Sequence, residues 1–538
     1  MSKNENELAE SGSVADLEER EHKPLISLCM IARDNELTIA NALASAKPWV
    51  DEIIVVDTGS TDRTPEIARE FGARVESFAW CDDFSAARNQ SLNYATGEWI
   101  FWMDTDDELP EKCGEILRQT LSSRVSDGVL GYIMQVRCPR ITNPGLKTED
   151  PSLGNSNQVV VDHVKVFRNR DDLRFEGRIH EQILTSIRQV GGRVLWMDNY
   201  VVHSGADQSP EGIKGKLDRD LRILRVDIKE RPEHPFVHFN LGMTLLHLGE
   251  FEEAQSALEN CVSLSVTKES HLRKAYALWV DTLEHLDATE AKRRCWEGLG
   301  RYPNDAELAF KLGRLLMLDQ QWEQAADAFE RIGQTDEARY FSSMDSGIKG
   351  HKSFANLAIC YTELEDRKKA IDAWRSCLKY APGFVEAWEG ILELALETGD
   401  LETLKLVVDE FRNEDEARIL VMVGNAIVAA AEKGVDAAIE CFEKCLEEAG
   451  KNSFALNQYA RFLNECQGWA KSIPVLERLH ELDPNNPSPR HNLGVALFQL
   501  GRSDDATLML QESLDLRPGH QPTLDLLTRC ANFSQVAQ

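Results

Sequence analysis

Four aspartates carry the first chemical signal in this chain. Asp57 closes the run DEIIVVD, and Asp104, Asp106 and Asp107 follow the run EWIFWM within a few residues. Carboxylate oxygens are hard donors. Mg2+ and Mn2+ keep several of their own waters, so one or two carboxylates suffice to hold such an ion. A solvated acidic turn after a strand has the same composition, and DTDD alone does not separate the two readings. The turn after the first apolar run reads ARDNE. It is not the Gly-rich G-x-G-x-x-G turn, which argues against a dinucleotide site.

The elements around these residues follow from periodicity. LISLCMI is a continuous apolar run and reads as a buried strand. Residues 35–46 have a helical apolar pattern, and DEIIVV is a second strand. Thr64-Pro65-Glu66 has the marks of a helix start: an N-cap type, a proline in the first turn and an acid at the positive dipole end. ARVESF is a third strand, DDFSAARNQSLNYA a helix and EWIFWM a fourth strand. Strands alternating with helices predict a largely parallel α/β sheet. Ligands of such sheets sit outside the carboxyl ends of the strands. Asp57 and the DTDD aspartates therefore converge on one sheet edge.

The segments MIARDNE, VVDTGSTD, WCDDFSAARN and FWMDTDDE, in this order and spacing, resemble a family 2 inverting glycosyltransferase. The resemblance implies a GT-A fold (nucleotide-diphospho-sugar transferase, Rossmann-like) over residues 24–205. It also implies a Mg2+ or Mn2+ cofactor and a nucleotide-diphospho-sugar donor, with a UDP-sugar as the default. Residue by residue, it assigns Asp57 to the base N–H. Ala32, Arg33 and Glu36 line the first loop near base and ribose. Asp104 takes the ribose or a metal-bound water, and Asp106 is the metal ligand, a role Asp107 can share. Arg88 faces the diphosphate; its structural alternative is an ion pair with Asp82 or Asp83. Glu181, in the IHEQI segment, is the expected base for the acceptor hydroxyl. His180 orients substrate or Glu181, and Asp162 is the competing base. His203 stands where a late third metal ligand falls. Thr58 occupies a position where many members of the family carry a second acid. Residues 139–158 form a Pro/Gly/Asn-rich stretch where an acceptor lid is expected.

Beyond residue 235 the pattern becomes helical and repetitive. Pro484 and Pro518 each end an apolar helix, one repeat apart. Between them Gly494, Leu497, Gly501, Ala506 and Leu510 occupy the small or apolar positions of a helix hairpin. Gly242, Leu245, Gly249, Ala254 and Leu258 repeat those offsets. These residues resemble tetratricopeptide repeats, about eight over 235–520. Residues 206–234 are expected as a helical linker and 521–538 as a capping helix and tail. A single hairpin cannot bury its apolar face alone, so neighbours must stack into a solenoid. The repeats are expected to recruit the acceptor or a protein partner.

Composition excludes several classes. The formal net charge is −30, and both halves are acidic, which disfavours nucleic-acid binding and a polybasic membrane anchor. No apolar run approaches the ~20 residues of a membrane span, although peripheral membrane contact is left open. Residues 1–23 are polar and acidic without an apolar h-region, so they read as a disordered tail and not a secretory signal. The 12 cysteines form no zinc or disulfide framework. They read as reduced, packed side chains, and a cytoplasmic setting follows. The acceptor stays open between lipid-linked glycan, lipopolysaccharide core, polysaccharide and protein. Two other readings compete. One is a repeat scaffold whose sugar-nucleotide domain is catalytically silent. The other is a nucleotidyltransferase, which needs a Gly-rich basic loop where this chain has ARDNEL.

Overall fold

The computed structural model describes residues 24–138, 159–205, 209–266, 269, 271–333 and 344–536. The tail expected at 1–23 and the lid expected at 139–158 lie outside the described residues.

The N-terminal region is built on one mixed sheet. Strands β1 (Ile26–Ala32), β2 (Glu52–Asp57), β3 (Arg74–Ser77) and β4 (Trp99–Trp102) alternate with helices α1 (Ile39–Ala46), α2 (Thr64–Glu70) and α3 (Phe84–Leu92). A short strand β5 (Asp107–Glu108) and helix α4 (Glu111–Ser122) follow. Then come β6 (Val129–Cys138), β7 (Val159–Arg168), α5 (Leu184–Gln189) and β8 (Arg193–His203). The strand order is β3-β2-β1-β4-β7-β6-β8-β5.

The expectation of a largely parallel sheet holds for one half only. β1 pairs in parallel with β2 and β4, and β2 with β3. Beyond β4 the sheet changes sense: β7 is antiparallel to both β4 and β6, while β6 and β8 are parallel. Parallel strands need crossovers: helices α1 to α3 supply them between β1 and β4, and the β6–β8 pair is connected through β7 and α5.

Both faces of the central strands are covered. Leu28, Met30, Trp99 and Phe101 pack in one core, and Cys29, Ile100, Trp102 and Phe167 in the other. That is why LISLCMI reads as unbroken apolar sequence.

Helix α6 (Pro210–Glu230) follows, N-capped by Ser209. It is docked rather than free: Ile223 and Leu224 cluster with Ile179, Trp80, Phe84 and Leu241. Helices α7 (Pro235–Leu248) to α23 (Gln521–Val536) follow, and among the described residues the two-residue strand β9 (Met344–Asp345), paired to β7, is the one strand between them. The repeat chemistry is visible in matched positions. A Cβ on Gly242 would stand 2.5 Å from Leu258 Cγ, and one on Gly494 2.6 Å from Leu510 Cγ. Only glycine lets those helices approach so closely.

Contacts divide the chain into two compact units. The first contains the sheet, the helices through Leu315 and residues 331–348; the second contains residues 316–330 and those from Lys349 onward. The compositional change near 235 therefore falls inside the first unit.

Candidate active site

The C-terminal edge of the parallel strands is stitched by two loops. Asp34 and Asn35 donate their backbone N–H groups to Ser60 Oγ at 3.0 Å and Thr64 Oγ1 at 2.7 Å. Asp34 Oδ1 accepts from the Thr61 N–H at 2.7 Å. Glu36 takes part in the same seam: its Oε2 accepts the Arg63 N–H at 3.2 Å, and its own N–H donates to Asp62 at 2.9 Å. Arg33 is exposed and lies 3.8 Å from Asp34. The Ala32 carbonyl accepts from both the N–H and the hydroxyl of buried Thr58. An acid at position 58 would be buried there, which accounts for the threonine. Asp57, the last residue of β2, accepts the Ser60 N–H at 3.1 and 3.3 Å. These bonds fix its carboxylate at the sheet edge.

The acidic cluster hangs on β4 and β5. Asp107 is fully buried and pairs in register with His203 across β5 and β8. Its Oδ1 lies 2.9 Å from His203 Nδ1, and its Oδ2 is 2.7 Å from Lys165 Nζ. Asp106 Oδ1 is 3.4 Å from His203 Nδ1. Among the described residues, Asp104, Asp107 and His203 form the group whose ligand atoms lie within 4.8 Å of one another.

Two buried cations complete the cluster. Arg88, on α3, donates from Nη2 to Asp104 at 2.6 Å and from Nε to Glu181. It therefore pairs with neither Asp82 nor Asp83. Asp83 instead caps α3 through the Ala86 N–H at 2.9 Å, and Asp82 pairs with Arg222. Lys165, on β7, is 1% exposed. Both cations lie over the Trp102 ring, Arg88 at 4.2 Å and Lys165 at 3.7 Å from its centre. Lys165 and Trp102 are absent from the sequence-based site. The available signal was a lysine inside the apolar strand run VVVDHVKVF: a buried charge requires a partner.

These contacts set the protonation states. Burial works against ionised Asp104, but the charges of Arg88 and Lys165 hold its carboxyl well below the usual range. Burial is likewise outweighed at Asp107 by Lys165 and His203. At Asp106 burial wins: it raises the carboxyl pKa, and neighbouring Asp104 and Asp107 add to the rise against the opposing pull of His203. His203 is raised, chiefly by its hydrogen bond to Asp107. His163 is pushed down to about 4 by burial and then by Lys165. Burial also lowers His180, which adopts a left-handed φ of 53°.

The close set of two carboxylates and one imidazole, Asp104, Asp107 and His203, suits a hard divalent cation, and Asp106, expected from the sequence as a ligand, lies beside this set and not within it. The surplus negative charge around Asp106 is of the kind such an ion would relieve. The structure thus gathers Asp104, Asp106, Asp107, His203, Arg88 and Glu181 around one point. Asp57, Ala32, Arg33 and Glu36 lie at the neighbouring strand ends.

A cleft of about 880 Å³ opens from this point. Arg88, Asp104, Asp162, His180, Glu181 and His203 are among its lining residues.

Comparison with known proteins gives these features a context. Residues 27–171 match the glycosyl transferase family 2 model. Residues 237–265 and 490–517 each match a tetratricopeptide repeat model. A TPR repeat-containing protein of Synechococcus elongatus is 34% identical over 241 residues, covering 44% of this chain and 55% of that protein. The match thus spans about half the length of that relative. The SPbeta prophage-derived glycosyltransferase SunS of Bacillus subtilis is 25% identical over 321 residues, covering 56% of this chain and 69% of that one. A tetratricopeptide repeat protein of Parabacteroides merdae is similar in structure over 48% of this chain and 98% of its own, at 14% identity and a TM-score of 0.36. Among the described residues no helix is long and apolar enough to cross a membrane. The chain carries a family 2 glycosyltransferase domain, followed by tetratricopeptide repeats.

Proposed function

We propose that the protein is an inverting, metal-dependent glycosyltransferase that moves a sugar from a nucleotide diphosphate to an acceptor nucleophile. Asp57 accepts the N–H of the base, and Ala32, Arg33 and Glu36 shape the loop beside base and ribose. Asp104 receives the ribose. Asp104, Asp106, Asp107 and His203 are the residues that would hold Mg2+ or Mn2+, which when bound offsets the charge developing on the diphosphate leaving group. Glu181 accepts the proton of the acceptor as the acceptor atom attacks the anomeric carbon and the sugar–phosphate bond breaks. Asp162 is the alternative base, and His180 positions the Glu181 segment.

One observation carries this reading. The Arg88 guanidinium touches Asp104 and Glu181 together, so the donor-side carboxylate and the proposed base are held on two edges of one planar group. An in-line displacement puts the base and the leaving group on opposite faces of one anomeric carbon, so the groups that serve each must belong to one site. In this reading Arg88 also serves the diphosphate, a role its guanidinium chemistry supports.

The test is donor hydrolysis by the full chain across a panel of nucleotide sugars, with Mn2+ and with chelator, beside Asp106→Ala. The expected result is metal-dependent release of nucleoside diphosphate from one donor, lost in the variant. No release, together with no donor-induced rise in melting temperature, refutes the reading.

A further inference from the structure

One side chain at the reaction centre has no role in the site as described so far. His163 lies on β7, two residues from Lys165, and lines the cleft together with Arg88, Asp104 and Glu181. It meets the Trp102 ring edge-on, with centroids 6.0 Å apart and planes at 89°. The same indole carries Arg88 and Lys165 over its ring. Its Nε1 donates to the Val164 carbonyl at 2.7 Å, which fixes it against β7. Trp102 thus ties His163 to the support that also holds the guanidinium joining Asp104 to Glu181.

The His163 imidazole makes no hydrogen bond to any described residue, and both ring nitrogens stay open to the cleft. Burial, and then the charge of Lys165, hold the ring down to about 4. Near neutral pH it is therefore uncharged and offers one N–H donor and one bare nitrogen acceptor. A hydroxyl, itself both donor and acceptor, is its complement. The course of the transfer says which hydroxyl-bearing group comes here. The sugar is the part of the reactants that must lie between the leaving diphosphate and the acceptor. It therefore lies between Asp104, on the donor side, and Glu181, the proposed base. The charges of Asp104 and Glu181 both act on His163, so the ring stands within range of both ends of that gap. Asp57, Ala32 and Arg33, on the side of the base, do not line the cleft.

We propose that His163 is a specificity residue of the donor-sugar subsite: its imidazole hydrogen-bonds a hydroxyl of the sugar being transferred and selects donors that carry one at that position. This rests on the glycosyltransferase reading of the site. No bond forms or breaks at His163. It binds the sugar and turns it so that the anomeric carbon meets the acceptor, while Trp102 keeps the ring in place.

The experiment measures binding by the full chain with Mn2+ and without acceptor, for wild type, His163→Phe, His163→Leu and His163→Gln. UDP-, GDP-, dTDP- and ADP-sugars are titrated calorimetrically, each beside its nucleoside diphosphate. The expected result is one nucleotide sugar that binds either apolar variant about tenfold more weakly than wild type. Its nucleoside diphosphate binds all forms alike. His163→Gln keeps a donor and an acceptor and retains most of the affinity. Monodeoxy analogues of that sugar give a second readout. Removing the recognised hydroxyl costs wild type about tenfold and costs the apolar variants nothing further. Equal weakening of the nucleoside diphosphate overturns the proposal, because His163 then serves the diphosphate or the fold. Unchanged nucleotide-sugar binding in both apolar variants overturns it too, as does a deoxy series in which no position is coupled to His163. If neither nucleotide sugars nor diphosphates bind the wild type, the transferase reading falls and takes this proposal with it.

Discussion

Replacing Lys165 by methionine should destabilise the first compact unit more than any exposed substitution could. The ammonium is 2.7 Å from Asp107 Oδ2, with side chains 1% and 0% exposed. At an effective dielectric of about 20, that separation corresponds to an attraction of ~6 kcal/mol. Desolvation of both ions cancels much of it, but removing only one partner leaves the other charge buried. That loss is typically about 3–5 kcal/mol. His203, 2.9 Å from the other Asp107 oxygen, softens the loss without replacing a charge held at the strand core. The expected fall in Tm is on the order of 10 °C, read by calorimetry of the full chain in chelator. Two companion measurements separate the cause. Lys165→Met with Asp107→Asn removes both charges and should recover most of the loss. Mn2+ should raise the Tm of Lys165→Met more than that of the wild type, since the cluster is then more negative. A change under about 1 kcal/mol in the single variant, or no recovery in the double variant, would refute the charge argument.

The second unit offers an independent test: Gly494→Ala puts a Cβ 2.6 Å from Leu510 Cγ and 3.3 Å from the Ala506 carbonyl. Overpacking by about 1–3 kcal/mol should outweigh the ~1 kcal/mol gain in helix propensity, lowering stability in urea melts while donor hydrolysis is unchanged. His271 is held down to about 4, first by burial. A histidine depressed in the folded state contributes stability that is present above its unfolded value near 6.5 and lost as pH falls from there toward 4. The loss is about 3 kcal/mol, and the slope of stability against pH in that window should flatten in His271→Gln. Thiol titration should find Cys81 and Cys466 reactive in the native protein. Cys29, pushed up to about 12 by burial, should react only after unfolding. Rapid labelling of Cys29 would mean the sheet opens far more readily than its packing implies.

Much of the parallel half was legible because its signals are local. Unbroken apolar runs gave β1, β2 and β4, and Thr64-Pro65 marked the start of α2. Where the reading moved, long-range contacts decided. The helix expected from residue 35 begins at Ile39 because Asn35 and Glu36 spend their N–H groups on Thr64 and Asp62, more than twenty residues on. The antiparallel insertion of β7 between β4 and β6 leaves no mark in either strand, since a strand buried on both faces looks the same in either direction. Arg88 was placed near the donor, but its partner Glu181 is 93 residues away, beyond any local rule. Lys165 is readable in principle as a charge inside an apolar run, but the alternating Val residues around it signal only a strand.

The charge balance explains why these residues occur together. Four carboxylates, Asp104, Asp106, Asp107 and Glu181, meet two permanent cations, Arg88 and Lys165. Both cations share the face area of Trp102, whose ring electrons stabilise them where water is excluded. Each cation also touches two of the acids, so Asp104 lies beside both while Asp106 lies beside neither. Asp106 is accordingly the acid whose ionised form the fold disfavours. Four negative charges against two positive leave a deficit that a protonated His203 covers by half and a single divalent ion covers in full. Two further lysines in the cluster would close the deficit permanently and leave a cation nothing to do there. The uncompensated carboxylate stands next to His203, which itself lines the cleft, so the demand for a cation falls beside the cleft and not under the sheet.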